Sequence, residues 1–244
     1  MRIGIMGAMV EEIEPFLKKE IDDEKLLEDF KIKEEIEYAK NRYYIGEYKN
    51  LEIVLCYSKI GKVFASLSAS TLIEDFKCEK ILFSGVAGAI NPELKIGDLI
   101  VAKKLCQHDL DITAFGHPPG YVPEGAVFVE ADNDLIKIAK EVAKEKSIKL
   151  KEGIIATGDQ FVADQRRKDQ IAKIFGADAL EMEGAAVGVV CDACNIPFFI
   201  LRAISDSADM DAAFDFDEFL KDSSKRSSSF ILNMLEKISE NEKI

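Results

Sequence analysis

The sequence has no excess of basic residues and no uninterrupted long apolar run. Its 32 lysine and arginine residues are outnumbered by 45 acidic residues, so the formal net charge is −13. Nucleic acids and anionic membranes are bound through a basic footprint, and this charge therefore argues against both as partners. The longest apolar stretch, residues 185–205, contains Asp192, Asn195, Pro197 and Arg202, which excludes it as a membrane span.

Paired cysteines and a secretory leader are missing as well. Five cysteines, an odd number without a secretory context, indicate reduced intracellular thiols. The chain starts directly with a strand pattern and lacks the charged and apolar regions of a signal peptide. These features predict a cytoplasmic protein. With 244 residues, 48% of them hydrophobic, the chain can bury a core without disulfides, and we expect one domain over residues 1–244.

Short apolar runs alternate with helical patterns along the chain. Strands are predicted at 3–6, 42–48, 51–57, 80–83, 98–103, 153–156, 179–181 and 197–204, and helices from residue 9 and at 61–76, 133–146, 163–174, 184–194 and 216–238. The alternation is typical of a three-layer α/β/α sandwich around a mixed, mostly parallel sheet.

Three segments between these elements are irregular. Residues 20–37 are predicted to be a charged insertion, either helical or a solvated loop. Residues 84–89 are predicted to be a turn of small residues. Residues 107–125 form a long loop with three glycines and three prolines, and loops of this length in a compact domain are usually functional or interfacial.

Carboxylates follow several of the predicted strands. Ligands of open α/β sheets bind beyond the carboxyl ends of strands, where this sequence has Glu12, Glu181, Glu183 and Asp206. Taken singly, Glu12 and Glu183 fit the first turn of a helix, stabilised by its dipole, and Asp206 fits a helix cap. Taken together, they fit glycosidic cleavage, which needs one acid at the leaving group and one base on water.

Three other motifs are weaker. Cys191 and Cys194 have a redox or half-zinc spacing, but no second pair completes it, and buried structural thiols are the better interpretation. His108 and its neighbouring aspartates could bind a metal, yet the chain has only two histidines, so we expect no metal site. Residues 85–88 are glycine-rich but lack the lysine and spacing of a phosphate-binding loop.

The sequence resembles the 5′-methylthioadenosine/S-adenosylhomocysteine nucleosidase family from residue 1 through the final helix. Seven segments carry the resemblance in order: 3–9 with Glu12, 58–63, 85–88, 113–116, 158–161, 181–183 and 202–206. The resemblance implies an enzyme that hydrolyses the bond between adenine and ribose in 5′-substituted adenine nucleosides, without a cofactor or metal. It also implies a homodimer.

The resemblance also implies roles for individual residues. Asp206 would protonate adenine N7, Glu12 would activate water, Glu183 would bind the ribose hydroxyls, and Arg202 would hold the network on the water side. The implied substrate-binding residues are Phe161 and Val162 for adenine, Met182 under the ribose, Ser205 beside the acid, Val86 in segment 85–88, and Met9, Ile60 and Phe216 for the 5′ substituent. Ile112, Phe115 and Pro123 of loop 107–125 would complete the same pocket in the neighbouring subunit.

Val86 and residues 20–37 depart from the family pattern. Many members have serine at the position of Val86, so a polar contact from that side chain is lost here, and residues 20–37 are longer than typical. Segments 84–88, 107–111 and 152–161 are similar to the branch that also cleaves 6-amino-6-deoxyfutalosine on the route to menaquinone. The expected substrates are therefore 5′-methylthioadenosine, S-adenosylhomocysteine, 5′-deoxyadenosine and 6-amino-6-deoxyfutalosine.

Two other functions remain open from the sequence. A purine nucleoside phosphorylase would use phosphate in place of water, but Glu12 at the water position would repel that anion. A nucleoside-binding protein without catalysis would not need Glu12, Glu183 and Asp206 together. Adenine release, and its dependence on phosphate, distinguishes the three.

Overall fold

A computed structural model describes residues 1–19, 28–206 and 212–242, with side chains described outside 212–218. The strands are β1 Arg2–Gly7, β2 Phe30–Tyr38, β3 Asn41–Tyr48, β4 Leu51–Tyr57, β5 Lys80–Ala89, β6 Leu99–Gln107, β7 Phe128–Glu130, β8 Leu150–Thr157, β9 Ala179–Glu181 and β10 Phe198–Asp206. The helices are α1 Val10–Leu17, α2 Lys62–Glu74, α3 Asn133–Glu145, α4 Gln165–Phe175, α5 Gly184–Ala193 and α6 Ala212–Asn241, with a 3-10 turn at Thr113–Phe115.

All of these strands belong to one mixed sheet. Parallel pairings join β1 to β4 and β5, β5 to β10, and β8 to β6 and β9. Antiparallel pairings add β2, β3 and β7 and join β10 to β6 and β5 to β9. Because β10 pairs with both β5 and β6, the strands β5, β10, β6, β8 and β9 pair in a closed ring, from which β1, β4, β3 and β2 extend. The predicted α/β class with a mixed sheet is confirmed.

Helices cover both faces of the sheet. The long helix α6 packs on β5 and β10 beside α1 and α3, while α2 and α5 pack together on the other face. Every residue of β10 is buried, as expected for a strand covered on both sides. Among the described residues, no helix combines the length and apolarity needed to cross a bilayer.

Two segments differ from the sequence prediction. Residues 20–27 of the expected insertion lie outside the described residues, and from Phe30 the chain is strand β2, so the prediction of a helix or loop is wrong there. Among the strands that the structure describes, this one pairs only with β3, and its charged side chains are exposed, as is common for edge strands. Its charges hid the strand pattern.

The second difference concerns residues 84–89, which are not a turn. They continue β5, where residues 84–88 pair with β10 and Gly88 and Ala89 also pair with β9. The small side chains therefore reflect a lack of space beside the strand and not a change of chain direction.

Candidate active site

A cavity of about 440 Å³ opens where β1, β5 and β10 end. The three strands are parallel to one another, so their carboxyl ends meet at one edge of the sheet. The lining comes from these ends, from the start of α5 and from two neighbouring loops: Ala8, Met9, Glu12, Ile60, Val86, Ala87, Gly88, Phe161, Leu180, Glu181, Met182, Glu183, Ser205 and Asp206. Glu12, Glu183 and Asp206 are thus brought together around one largely apolar space.

Larger depressions lie elsewhere on the protein. One of about 520 Å³ lies between the segment before β6, the end of the α3–β8 connection and α6, with Asp98, Lys149 and Arg226 on its wall. Another of about 550 Å³ runs along residues 122–130 and α5. Neither contains a buried, converging set of carboxylates, so the smaller cavity is the better candidate for chemistry.

Glu12 lies in the first turn of α1 with its carboxylate turned back toward β1. Its Oε2 accepts hydrogen bonds from the backbone N–H groups of Ala8 and Met9, and its Oε1 accepts one from Val86 N at 2.9 Å. The Ser228 hydroxyl of α6 donates to the Glu12 carbonyl at 3.0 Å, which ties the residue to the final helix. Val86 therefore supports Glu12 through its backbone, whatever its side chain.

Burial dominates the electrostatics of Glu12. Desolvation raises its pKa above the ordinary value of 4.5, and the Arg202 charge and the three backbone donors oppose that rise. Burial favours protonation of this carboxylate, while the fixed donors hold it in place, and both suit a general base.

Asp206 is the last residue of β10. A pairing irregularity between Ile204 and Asp206 sets it opposite Gly88 of β5, and such irregularities often redirect a side chain beside a site. The Ser205 hydroxyl donates to Asp206 Oδ1 at 3.1 Å, and the buried Lys168 of α4 places its Nζ 3.9 Å from Oδ2. Asp206 is thus a buried carboxyl with a hydroxyl and an ammonium beside it.

Two glycines of β5 leave the space that these carboxylates occupy. A Cβ at Gly85 would lie 2.7 Å from Glu12 Oε1, and a Cβ at Gly88 would lie 2.6 Å from Asp206 Oδ2. Both distances are shorter than real carbon contacts, so any side chain would displace an acid. The small residues of segment 84–89 are explained by this close approach.

Glu183 lies between β9 and α5, and it is held by the loop that precedes α2. Its Oε1 accepts a hydrogen bond from Gly61 N at 2.7 Å. Burial, and next the charge of Glu181, raise its pKa to about 8. A group with this pKa exchanges its proton near neutral pH and responds strongly to a charge developing beside it.

Glu181 and Arg202 form a buried ion pair beneath the cavity. Arg202 Nη2 donates to Glu181 Oε2 at 2.7 Å, and its guanidinium lies 4.0 Å from the centre of the Phe83 ring. Glu181 also accepts hydrogen bonds from the Thr157 hydroxyl and from the N–H groups of Glu183 and Gly184. Arg202 therefore acts on Glu12 through its charge and does not itself line the cavity.

The predicted binding residues fall into three groups. Those that line the cavity are Met9, Ile60, Val86, Phe161, Met182 and Ser205. Those outside the lining are Val162, which forms a shallow depression with Phe161, and Ile112, Phe115 and Pro123, which lie on the loop after β6. Phe216 belongs to α6, but its side chain lies outside the described residues.

The sequence reasoning assigned no role to two buried charged residues. Glu181 stands in the same motif as Glu183, and its position at the end of a strand was the available signal, but only the fold shows its pairing with Arg202. Lys168 belongs to a charged helix sequence, and nothing in that pattern distinguishes it from its exposed neighbours.

The remaining motifs do not assemble a metal or redox site in the described part of the chain. No group of three or more histidine, cysteine or acidic side chains is arranged to hold a metal ion there. Cys191 is buried on α5, and burial raises the pKa of its thiol to about 12, which fits a structural cysteine. His108 is buried against Gly158, and burial lowers its pKa.

Replacing Glu183 by glutamine is expected to make the protein more stable at alkaline pH. The folded state binds the Glu183 proton more tightly than the unfolded chain, so this contribution to stability is complete below about pH 4.5 and is lost as the pH rises toward 8. Glutamine does not titrate. The Tm of the variant relative to the unsubstituted protein should therefore rise by several degrees between about pH 5 and about pH 8.

Thermal unfolding of both proteins without ligand, at the two pH values, measures this. If the Tm difference stays constant or shrinks between the two pH values, ionisation of Glu183 does not destabilise the folded protein, and the prediction is wrong.

Comparison with known proteins gives consistent matches over the whole fold. A family model described as "Phosphorylase superfamily" matches residues 2–236. The aminodeoxyfutalosine nucleosidase of Campylobacter jejuni is 56% identical over 98% of this chain and 100% of its own length, and the 5′-methylthioadenosine/S-adenosylhomocysteine nucleosidase of Staphylococcus carnosus is 39% identical over 97% and 100%. The structure of futalosine hydrolase of Helicobacter pylori superimposes with a TM-score of 0.91 at 46% identity, covering 97% of this chain and 98% of that one.

Proposed function

Since this chain belongs to the 5′-methylthioadenosine/S-adenosylhomocysteine nucleosidase family of the phosphorylase superfamily, we propose that it hydrolyses the bond between adenine and ribose in 5′-substituted adenine nucleosides. The observation that carries the proposal is the convergence of Glu12, Glu183 and Asp206 on one apolar cavity. Their different surroundings support different roles.

The reaction divides among the three carboxyl groups. Asp206 gives a proton to N7, so that adenine leaves as a neutral molecule. Glu12 takes a proton from water, whose oxygen bonds to C1′ as the bond from C1′ to adenine N9 breaks. Glu183 accepts hydrogen bonds from the ribose hydroxyls, and these bonds strengthen as positive charge develops on the sugar. Phe161, 52% exposed at the cavity mouth, offers a ring for stacking on adenine.

Water fits the cavity better than phosphate does. No lysine or arginine is present among the described residues that line it, and Arg202 beneath it is already paired with Glu181. A phosphate dianion at the water position would meet the Glu12 carboxylate without a free cation to offset the repulsion. Adenine should therefore be released from 5′-methylthioadenosine at the full rate in phosphate-free buffer. A strict need for phosphate would contradict the proposal.

We propose that the substrate range includes 6-amino-6-deoxyfutalosine together with 5′-methylthioadenosine, S-adenosylhomocysteine and 5′-deoxyadenosine. Two relatives, from Campylobacter jejuni and Helicobacter pylori, are named aminodeoxyfutalosine nucleosidases. Met9 and Ile60 offer apolar contact to the 5′ substituent, and apolar surfaces discriminate by only about 1–3 kcal/mol per methylene. Adenosine should be a poorer substrate, because its 5′ hydroxyl gains nothing there.

Comparison of kcat/KM for these five nucleosides tests the range. Cleavage of 5′-methylthioadenosine without cleavage of 6-amino-6-deoxyfutalosine would contradict the proposed range. The substrates would then be only the by-products of methionine salvage and methylation.

We propose a homodimer in which loop 107–125 completes the neighbouring site. Phe115 is 81% exposed, and Val63 on the first turn of α2 is 76% exposed, with Phe64 and Leu67 beside it on the same helix. Exposed apolar groups of this kind usually mark an interface. Sedimentation at micromolar concentration should give a dimer, whereas a fully active monomer would contradict the proposal.

The five cysteines support a cytoplasmic location, which we also propose. All are unpaired thiols, and four are buried. Proteins exported to oxidising compartments tend to pair their cysteines.

A further inference from the structure

Three charged residues from separate segments form a hydrogen-bonded ring at the rim of the cavity. Lys62 begins α2, Asp109 follows β6, and Asp159 follows β8. Lys62 Nζ donates to Asp109 Oδ1 at 2.7 Å, Asp159 N donates to Asp109 Oδ2 at 2.8 Å, and Lys62 N donates to Asp159 Oδ1 at 2.8 Å. We name these three residues the rim clasp.

The rim clasp is more than an exposed ion pair. The side chains of Lys62 and Asp109 are only 18% and 16% exposed, so their attraction is less screened than that of surface pairs. Burial alone would raise the pKa of Asp109, but the Lys62 ammonium and the Asp159 N–H outweigh it and lower the pKa. Asp109 is held as a carboxylate by both partners.

The rim clasp adjoins the hydrogen bond that holds Glu183. Gly61, the residue before Lys62, is the N-cap of α2 and has no side chain to cap the helix. The Asp159 carboxylate supplies the cap instead, by accepting from Lys62 N. Gly61 N is then directed at Glu183 Oε1 at 2.7 Å.

The backbone before Gly61 needs such support. Gly61 has φ +100° and Lys59 has φ +78°, a conformation that a residue with a side chain adopts at a cost. A turn of this kind persists when its surroundings hold it. The rim clasp fixes the start of α2, and with it the direction of the Gly61 N–H.

We propose that the rim clasp of Lys62, Asp109 and Asp159 positions Glu183 for the ribose through the Gly61 N–H. The proposal rests on the proposed function, because it assigns these residues to the ribose side of nucleoside hydrolysis. They are positioning residues, since none of the three is among the residues that line the cavity.

The first test is Asp109→Asn, which keeps the size of the side chain and removes its charge. Displacement of a group by about 1 Å can cost up to about a hundredfold in rate, so kcat/KM for 5′-methylthioadenosine should fall about tenfold or more. Lys62→Met should give a similar loss, and Lys62→Arg should retain most activity because it restores the cation.

Asp98→Asn is the matched control. Asp98 also accepts from a lysine Nζ, that of Lys149 at 2.9 Å, and from a backbone N–H, that of Lys95 at 3.2 Å, but it lies away from the cavity. Its substitution should leave kcat/KM within about twofold of the starting value.

A double-mutant cycle with Glu183→Gln separates positioning from general loss of structure. If the rim clasp acts through Glu183, Asp109→Asn should lower kcat/KM less than about twofold in the Glu183→Gln background, although it costs about tenfold in the original protein. Equal losses in both backgrounds, or no loss in either the Asp109 or the Lys62 variant, would overturn the proposal.

The unsubstituted protein is assayed in phosphate-free buffer in the same series. If it releases no adenine, both the proposed function and the proposal on the rim clasp fail. If it is active and the cycle is additive, only the rim clasp proposal fails.

Discussion

Replacing Asp206 by asparagine is expected to slow adenine release by at least about a hundredfold, the usual contribution of a positioned acid. Adenine is a poor leaving group until N7 carries a proton. Asparagine has nearly the same shape and can still accept a hydrogen bond from the Ser205 hydroxyl, but it has no acidic proton to give. The loss should therefore appear in kcat, with a much smaller change in KM.

Initial rates and single-turnover rates with 5′-methylthioadenosine measure this effect. Asp178→Asn serves as the control, since Asp178 is also a shielded carboxylate with several donors, from Asn91, Ile154 and Lys151, and does not line the cavity. That variant is expected to lose stability and keep its kcat. Near-normal kcat in the Asp206 variant would mean that another group supplies the proton.

Replacing Glu12 by glutamine is expected to have an effect of similar size. An amide cannot take a proton from water, and its NH2 group would face backbone N–H groups where the carboxylate now accepts three hydrogen bonds. The first change removes the group that accepts the proton. The second displaces the side chain from its position. We expect at least about a hundredfold loss in kcat.

The pH profile gives this variant a second measurement. Burial raises the pKa of Glu12, so the rate of the unsubstituted enzyme should fall on acidification at a pH above the ordinary glutamate value of 4.5. Glu12→Gln should lack this acidic limb. Glu11→Gln, one residue away in the same helical turn and outside the cavity lining, should keep both the rate and the limb. An unchanged profile in the Glu12 variant would assign the base elsewhere.

Much of the fold could be predicted because its strands are short apolar runs with clear ends. Strands β1, β4 and β10 show this pattern. Helix α6 could be predicted from its amphipathic period. The edge strand β2 could not be recognised, since its charged side chains suit solvent better than a core pattern. The closed ring of β5, β10, β6, β8 and β9 could not be predicted either, because it depends on pairings between distant segments and local periodicity gives no information on those.

The three carboxylates of the candidate site could be predicted from the strand ends and from the resemblance. Their electrostatics could not. The raised pKa of Glu183 depends on burial beside Glu181, and the Arg202 charge near Glu12 depends on a side chain that reaches under the cavity from β10. Gly85 and Gly88 looked like turn residues, because the sequence does not show which side chain occupies the space beside a strand.

The identity of the attacking group is the central claim, and isotope labelling tests it most directly. 5′-Methylthioadenosine is turned over in water enriched in oxygen-18 with phosphate present, and the sugar product is analysed by mass spectrometry at early times. A control with unlabelled sugar measures how fast its anomeric oxygen exchanges with the labelled water. A water activated by Glu12 predicts free 5-methylthioribose carrying one labelled oxygen, about two mass units heavier than the unlabelled sugar. Unlabelled 5-methylthioribose 1-phosphate would contradict the account.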